Sequence, residues 1–399
     1  MEHNLAQPKI KSWYLFWLAA GIVLVAFNLR PGITSVGPLI GMIQAEVGLA
    51  HWSAGLLTSL PLIAFAVVSP VVPKIANKLN NERTLLLGMV VLLAGFCIRS
   101  ISMTPTLFGG TLLIGIGIAI GNVLLPVVIK DKFPQKFGLM TSVYSTSMGL
   151  FASLASGLSV PLAQGLQLGW QGALIVWGIP TVLAIIIWTY LVKNGQNGSS
   201  QLKGVKTGDH QMWRSPLAWQ VALYMGFQSF MFYVTVAWLP QILHDQGLSI
   251  ETAGWMLSFT QLIGLPAGFI APVLAGRMRS QQWIAAVLGS CSLIGYLGLW
   301  FGSTYSILVI SIIFIGIGLG GTFPLALAFL GMRSRNAKQA SELSGMAQSI
   351  GYILAAAGPL LIGTLYDVTH VWDIPILTLI IVSIIVTLFG ISAGRDRFV

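Results

Sequence analysis

Apolar residues run along this chain in stretches of roughly 20, the length that carries a helix across the hydrocarbon core of a bilayer. Short polar or charged segments separate them. The stretches lack the strict in/out alternation that barrel strands require, so the pattern predicts helices. Twelve follow: at about 14–43, 52–73, 84–103, 105–129, 138–162 and 169–192, then 216–243, 252–275, 283–302, 304–330, 342–365 and 374–393. Between the sixth and seventh lies KNGQNGSSQLKGVKTGDHQMWRSP, which is polar, basic and contains Gly and Ser, the composition of a flexible linker. The pattern therefore divides the chain into a first six-helix bundle (1–192), a cytoplasmic linker (193–215) and a second six-helix bundle (216–399). The first apolar stretch is too long for a cleavable signal and ends in no small-residue cleavage site, so it is expected to be a retained span.

Composition makes lipid the solvent of these helices. Hydrophobic residues form 55% of the chain and charged residues 8%, where a soluble domain carries about 25% charged residues. The mean hydropathy is +0.84. Backbone groups in lipid must be satisfied internally, and the expectation is an all-α polytopic membrane protein. The two cysteines, Cys97 and Cys291, fall inside spans and read as buried apolar fillers.

The net charge of +10 invites a nucleic-acid reading, and its distribution removes it. With both termini on one side, the loops after spans 2, 4, 6, 8 and 10 share that side. Those loops and the tails hold every Lys and Arg except Arg30 and Arg99, while the opposite loops hold Glu46, Asp245, Glu251, Asp367 and Asp373. This is the positive-inside pattern, and it puts both termini in the cytoplasm.

The chain also repeats itself. GLAHWSAGLLTSL from Gly48 aligns with GLSIETAGWMLSF from Gly247, 199 residues on, and the same offset pairs PKIANK with PVLAGR. Farther along, GIGIAIG at Gly115 meets GIGLGGT at Gly316, and Gly149 meets Gly351. Two repeats with six spans each are parallel, a transporter plan that places the substrate site near the midplane at their interface.

PKIANKLNNER (73–83) resembles a degenerate copy of the loop between spans 2 and 3 of the major facilitator superfamily. Asn77 stands where an Asp is usual, and Pro73 and Asn80 where glycines are usual. NLRPGITSVGPL, GNVLLPVVIKDKFP, SPLAWQVALYMGFQS, AWLPQIL and SGMAQSIGYILAAAGP together resemble its bacterial cyanate/nitroimidazole transporter branch. The resemblance implies twelve spans in two parallel six-helix repeats, alternating access in the bacterial cytoplasmic (inner) membrane, and a cavity lined by spans 1, 4, 7 and 10 beside 2, 5, 8 and 11. It departs from the superfamily's proton-coupled drug antiporters, since Thr111 stands where their span 4 carries an Arg and span 5 lacks their Gly-Pro motif.

The candidate chemistry is sparse. No span interior holds Asp, Glu, Lys or His, and Arg30 is the one midspan charge. A charge at the bilayer centre costs ~3 kcal/mol or more and ordinarily faces a partner or a water-filled cavity. Arg30 either supplies the positive charge that binds a solute or is solvated by carbonyls freed beside Pro31. Pro31 and Gly32 form a candidate conformational hinge, with a plain kink as the alternative. Arg99, about one turn from the end of span 3, is expected to snorkel to the interface. Asn28, Asn122, Tyr144, Gln228, Tyr233, Gln261, Gln348 and Tyr352 are polar midspan candidates for substrate contact. For each the competing role is a hydrogen bond between helices. Asn28 shares a pocket with Arg30 only if the helix is distorted. Gln348 and Tyr352 share one face, and Trp238 is expected in an interfacial belt.

The resulting expectation is a secondary active transporter, acting as a monomer in the lipid bilayer. Its solute would be a small anionic or strongly polar molecule such as cyanate or a nitroimidazole-like compound. The alternatives are an efflux pump for a neutral heteroaromatic drug, or a non-transporting sensor or assembly factor. No metal site, cofactor motif, nucleic-acid motif or enzymatic constellation is legible.

Overall fold

A computed structural model describes residues 12–133, 136–194, 212–302, 304–335 and 337–399. All but the ends of the predicted linker, 193–215, lies outside the described residues. Those residues form helices and turns, with no strand among them. Among the described residues, twelve helices are long and apolar enough to cross a membrane. The first six are Trp13–Val47, His51–Val68, Asn81–Arg99, Thr104–Ile129, Val143–Gly165 and Gly169–Asn194. The last six are Pro216–Asp245, Ile250–Arg277, Gln282–Phe301, Tyr305–Met332, Glu342–Thr369 and Asp373–Ala393. They are called spans 1–12 below.

The duplication is visible in how the helices stop. Span 1 ends at Gly48 with φ 73°, and span 7 ends at its repeat partner Gly247 with φ 100°. Both need the left-handed conformation that glycine adopts without strain. Asn80, where related loops carry glycine, also sits at positive φ (72°).

The next helix starts differ. Ser249 caps span 8, accepting from the Thr252 backbone N–H at 3.1 Å. Its repeat partner Ala50 has no such side chain. Span 2 is capped instead by Asp367 of span 11, which accepts from the backbone N–H groups of His51 (3.1 Å) and Trp52 (2.8 Å).

That cap belongs to a tight seam between the halves at the end away from the basic loops. His51 Nδ1 lies 2.8 Å from Asp367 Oδ1. Between spans 5 and 8, Ser153 donates to the Ser258 carbonyl at 3.0 Å and Gln261 Nε2 donates to Ser156 Oγ at 2.6 Å. Span 1 meets span 7 so closely that a Cβ at Gly37 would collide with the Val236 carbonyl. At the other end Ser145 and Thr146 of span 5 and Gly345 and Ser349 of span 11 are exposed. The molecule is thus closed at one end and open at the end of the basic loops.

Three expectations are corrected. Cys97 is exposed and Cys291 half-buried, so neither fills the core; a small thiol is tolerated on a lipid-facing surface. Trp238 is fully buried rather than interfacial. Its indole donates to the Pro359 carbonyl at 2.9 Å, which satisfies the polar tip without water. Arg99 is also fully buried and does not snorkel.

Candidate functional site

The site is built around a break in span 1. One helix runs Ser12–Ala26 and a short one resumes at Pro31–Thr34, followed by a 3-10 turn and a helix Ile40–Val47. Between them the Asn28 and Leu29 N–H groups bond to Val25 (2.9 Å) and Ala26 (3.3 Å), one residue short of the helical ladder. Pro31 occupies the first position of the short helix, where its missing N–H costs nothing. The break therefore lies just before the predicted hinge pair.

Carbonyls released by such a break need donors. The Asn28 Nδ2 group donates at 2.6 Å to the Leu24 carbonyl freed there. A second irregularity follows at Ser35 and Val36, where the Val36 N–H turns to the Ile33 carbonyl, and Arg99 Nη1 donates to the Gly32 carbonyl it leaves, at 2.6 Å. Asn28 Oδ1 in turn accepts from Thr181 Oγ1 of span 6 at 2.6 Å. Asn28 is buried and turned toward span 6. The helix is distorted as a shared pocket would require, yet Asn28 stitches the break instead of joining Arg30.

Arg30 points the other way, across the interface. Its Nη1 donates to Tyr233 Oη of span 7 at 3.3 Å. The guanidinium carbon lies 5.2 Å from the Phe232 ring centroid and 6.0 Å from that of Tyr233, within the range of cation–π attraction. Tyr144 of span 5 and Tyr352 of span 11 lie within electrostatic reach of the same charge. Among the described residues no carboxylate is within ion-pair distance of Arg30.

Two further ring pairs lie on spans 1, 2, 5 and 11. Phe27 stacks on Phe151 with centroids 3.7 Å apart and planes 10° apart. Phe65 meets Tyr352 edge-on at 5.6 Å. Sequence reasoning passed over all four phenylalanines, because a Phe in a lipid-soluble helix carries no signal of its own. Phe27 and Phe232 are the two that adjoin candidates, Asn28 and Tyr233.

The structure thus brings together Arg30, Tyr144, Tyr233 and Tyr352, from spans 1, 5, 7 and 11. Asn122 is half-buried in span 4. Gln228 is buried and donates to the Met225 carbonyl (3.0 Å) and Ser229 Oγ (2.6 Å) of its own helix. Gln261 belongs to the seam of the closed end. Gln348 donates to Ser344 Oγ at 2.9 Å, toward the open end. The Nε2 groups of the three glutamines therefore all have protein partners.

A family model described as the Major Facilitator Superfamily matches residues 16–356. The chain is 49% identical to an uncharacterized transporter, YycB, of Bacillus subtilis (strain 168), over 99% of this chain and 98% of that one. It is 40% identical to the 2-nitroimidazole transporter of Escherichia coli (strain K12), over 95% and 96%. It is 27% identical to the cyanate transport protein CynX of the same strain, over 87% and 89%. The fold matches a bacterial homolog of the human lysosomal transporter Spinster with TM-score 0.82 and 14% identity, over 97% of this chain and 99% of that one.

Proposed function

We propose, from the premise that the chain belongs to the Major Facilitator Superfamily and is a multi-pass membrane transporter, that its solute is small, planar and either anionic or strongly dipolar. The observation that carries this is Arg30, a half-buried guanidinium with aromatic rings around it and no carboxylate to neutralise it. Removing an unpaired charge from water is costly, so the site is worth most to a ligand that brings negative charge or the negative end of a dipole. The planar fork suits a carboxylate, a nitro group or a linear anion. The rings favour a flat body over a bulky one. The names of two relatives, a 2-nitroimidazole transporter and a cyanate transport protein, describe flat or linear solutes of this kind.

Transport follows from where the contacts lie. The seam between spans 2 and 11 and between spans 5 and 8 closes one end, and the solute enters from the other. The positive-inside pattern makes the open end cytoplasmic, in a bacterial inner membrane. A solute between the guanidinium and the Tyr233 hydroxyl would replace their 3.3 Å hydrogen bond and bind both halves at once. Halves 1–192 and 216–399 then rock about it, the protein working as a monomer with Pro31 and Gly32 flexing beside the broken turn.

Proteoliposomes loaded with 2-nitroimidazole, cyanate or benzoate test this. The expected result is saturable flux and counterflow for at least one of them, absent in Arg30→Ala at equal reconstitution. Undiminished flux in that variant would remove Arg30 from the site.

A further inference from the structure

We infer that Arg99 is the positioning residue for Arg30: it supplies the hydrogen bond that the Gly32 carbonyl loses where span 1 unwinds after Thr34, and so holds the short helix Pro31–Thr34 whose N-cap is Arg30. The inference rests on the reading of Arg30 given above.

The first support is an accounting of carbonyls. In an unbroken helix the Gly32 carbonyl would accept from the Val36 N–H. Here Val36 N bonds to the Ile33 carbonyl at 3.2 Å, and the donor to Gly32 is Arg99 Nη1 at 2.6 Å. A charge-assisted bond of that length is stronger than the backbone bond it replaces.

The second is the cost of placing an arginine there. Arg99 is fully buried. Its Nε and Nη2 have no hydrogen-bond partner, and no described carboxylate is within ion-pair distance. Among the described residues, its further compensation beyond Gly32 is the Phe96 ring at 5.4 Å. A residue that merely filled this space would be apolar, since an unpaired buried charge is destabilising.

The third is a comparison inside the chain. Gly95 and Gly295 hold equivalent places, each so close to the following span that a Cβ would strike the backbone, of Ile114 in one half and Ile315 in the other. In that register Arg99 corresponds to Leu299, which is fully buried. The partners of Asn28 and Gly32, 199 residues on, are Phe227 and Met231. Where these residues are missing, span 7 runs unbroken from Pro216 to Asp245. The two irregularities and the side chains that bond the carbonyls they free occur together in one half and are absent together from the other.

The geometry also separates the two arginines by task. Arg99 of span 3, and Thr181 of span 6 acting through Asn28, hold the irregular segment from its own half, while Arg30 faces Tyr233 of the other half. A segment held from behind keeps the guanidinium aimed into the cleft.

The test needs no solute. In a chain with Cys97 and Cys291 replaced by alanine, Arg30→Cys is labelled in nanodiscs with a small charged methanethiosulfonate, and Ser145→Cys serves as the cleft control. Adding Arg99→Leu or Arg99→Gln should slow labelling at position 30 at least tenfold and leave position 145 unchanged. Arg99→Lys, which keeps a charged donor of similar reach, should stay within threefold of the parent. An unchanged rate at position 30 in Arg99→Leu would overturn the inference. Should that variant fail to fold, equal rates in Arg99→Gln and Arg99→Lys would do so. Normal solute binding by Arg30→Ala instead removes the proposed function, whatever the labelling shows.

Discussion

Spans 1 and 7 descend from one repeat and do opposite things. Span 7 is a single helix of 30 residues, Pro216–Asp245, and brings Phe232 and Tyr233 to the interface on a regular surface. Span 1 is broken over residues 27–30 and uses the disrupted turn to carry a charge. Where one has Arg30, the other has Ser229. A duplicated scaffold provides two equivalent walls, and a binding site for an asymmetric solute requires that they differ. One wall holds a cation and the local irregularity that supports it; the other offers rings and a hydroxyl on a stiff rod. The pairing of Ala50 with Ser249 makes the same point at the closed end. The second half caps its own helix, and the first borrows its cap from the second.

The severest way to break the comparison is to move the charge. The double variant Arg30→Ser, Ser229→Arg keeps composition and net charge, but span 7 has no break to aim the new side chain. Solute flux should stay absent, at least 30-fold below wild type, matching the ~2–5 kcal/mol cost of truncating a buried charged partner. Recovery of flux to wild-type level would mean that charge alone, without the turn, makes the site.

The borrowed cap comes next. Asp367→Asn weakens two backbone hydrogen bonds at the start of span 2 and the contact with His51. A cap and a charge-assisted bond together are worth about 1–2 kcal/mol. Labelling of a cysteine placed at Ser53, which is buried at the closed end, should rise roughly 5–30-fold, with Cys97 and Cys291 replaced by alanine. Ala50→Ser, which copies Ser249, should return part of the lost thermal stability but leave the labelling high, because it caps the helix without joining the halves. A full return of both readouts would show that the cap carries no coupling.

The smallest effect concerns the stiff wall. Tyr233→Phe keeps the ring and loses the hydroxyl that accepts from Arg30. Solute affinity should fall by about 3–10-fold, the range of one hydrogen bond near 1 kcal/mol. A loss as large as that of Arg30→Ala would make the phenol, not the guanidinium, the dominant contact.

The spans were legible in the sequence because lipid imposes length and apolarity on each one. The repeat was legible because Gly48 and Gly247 terminate helices by the same backbone necessity. Arg30 stood out because a midspan charge has few tolerable explanations. Arg99 did not: near a span end, snorkelling accounts for a charge as well as burial does, and only the unwound carbonyl of Gly32, a tertiary fact, decides between them. Asn28 and the glutamines at 228, 261 and 348 were ambiguous for a related reason. Any polar group in a membrane must find a partner, and composition does not say whether that partner is a neighbouring helix or a solute. The phenylalanines around Arg30 were indistinguishable from those that face lipid.

The central claim, that one unneutralised guanidinium in the first half binds the solute, is tested most directly by a thermal-shift titration. Wild type and Arg30→Ala, both purified in detergent, are titrated with 2-nitroimidazole, cyanate and benzoate. A ligand that binds the folded state raises its stability with concentration. The account predicts a concentration-dependent rise for at least one of the three in wild type and none in Arg30→Ala. An equal rise in both proteins would contradict it.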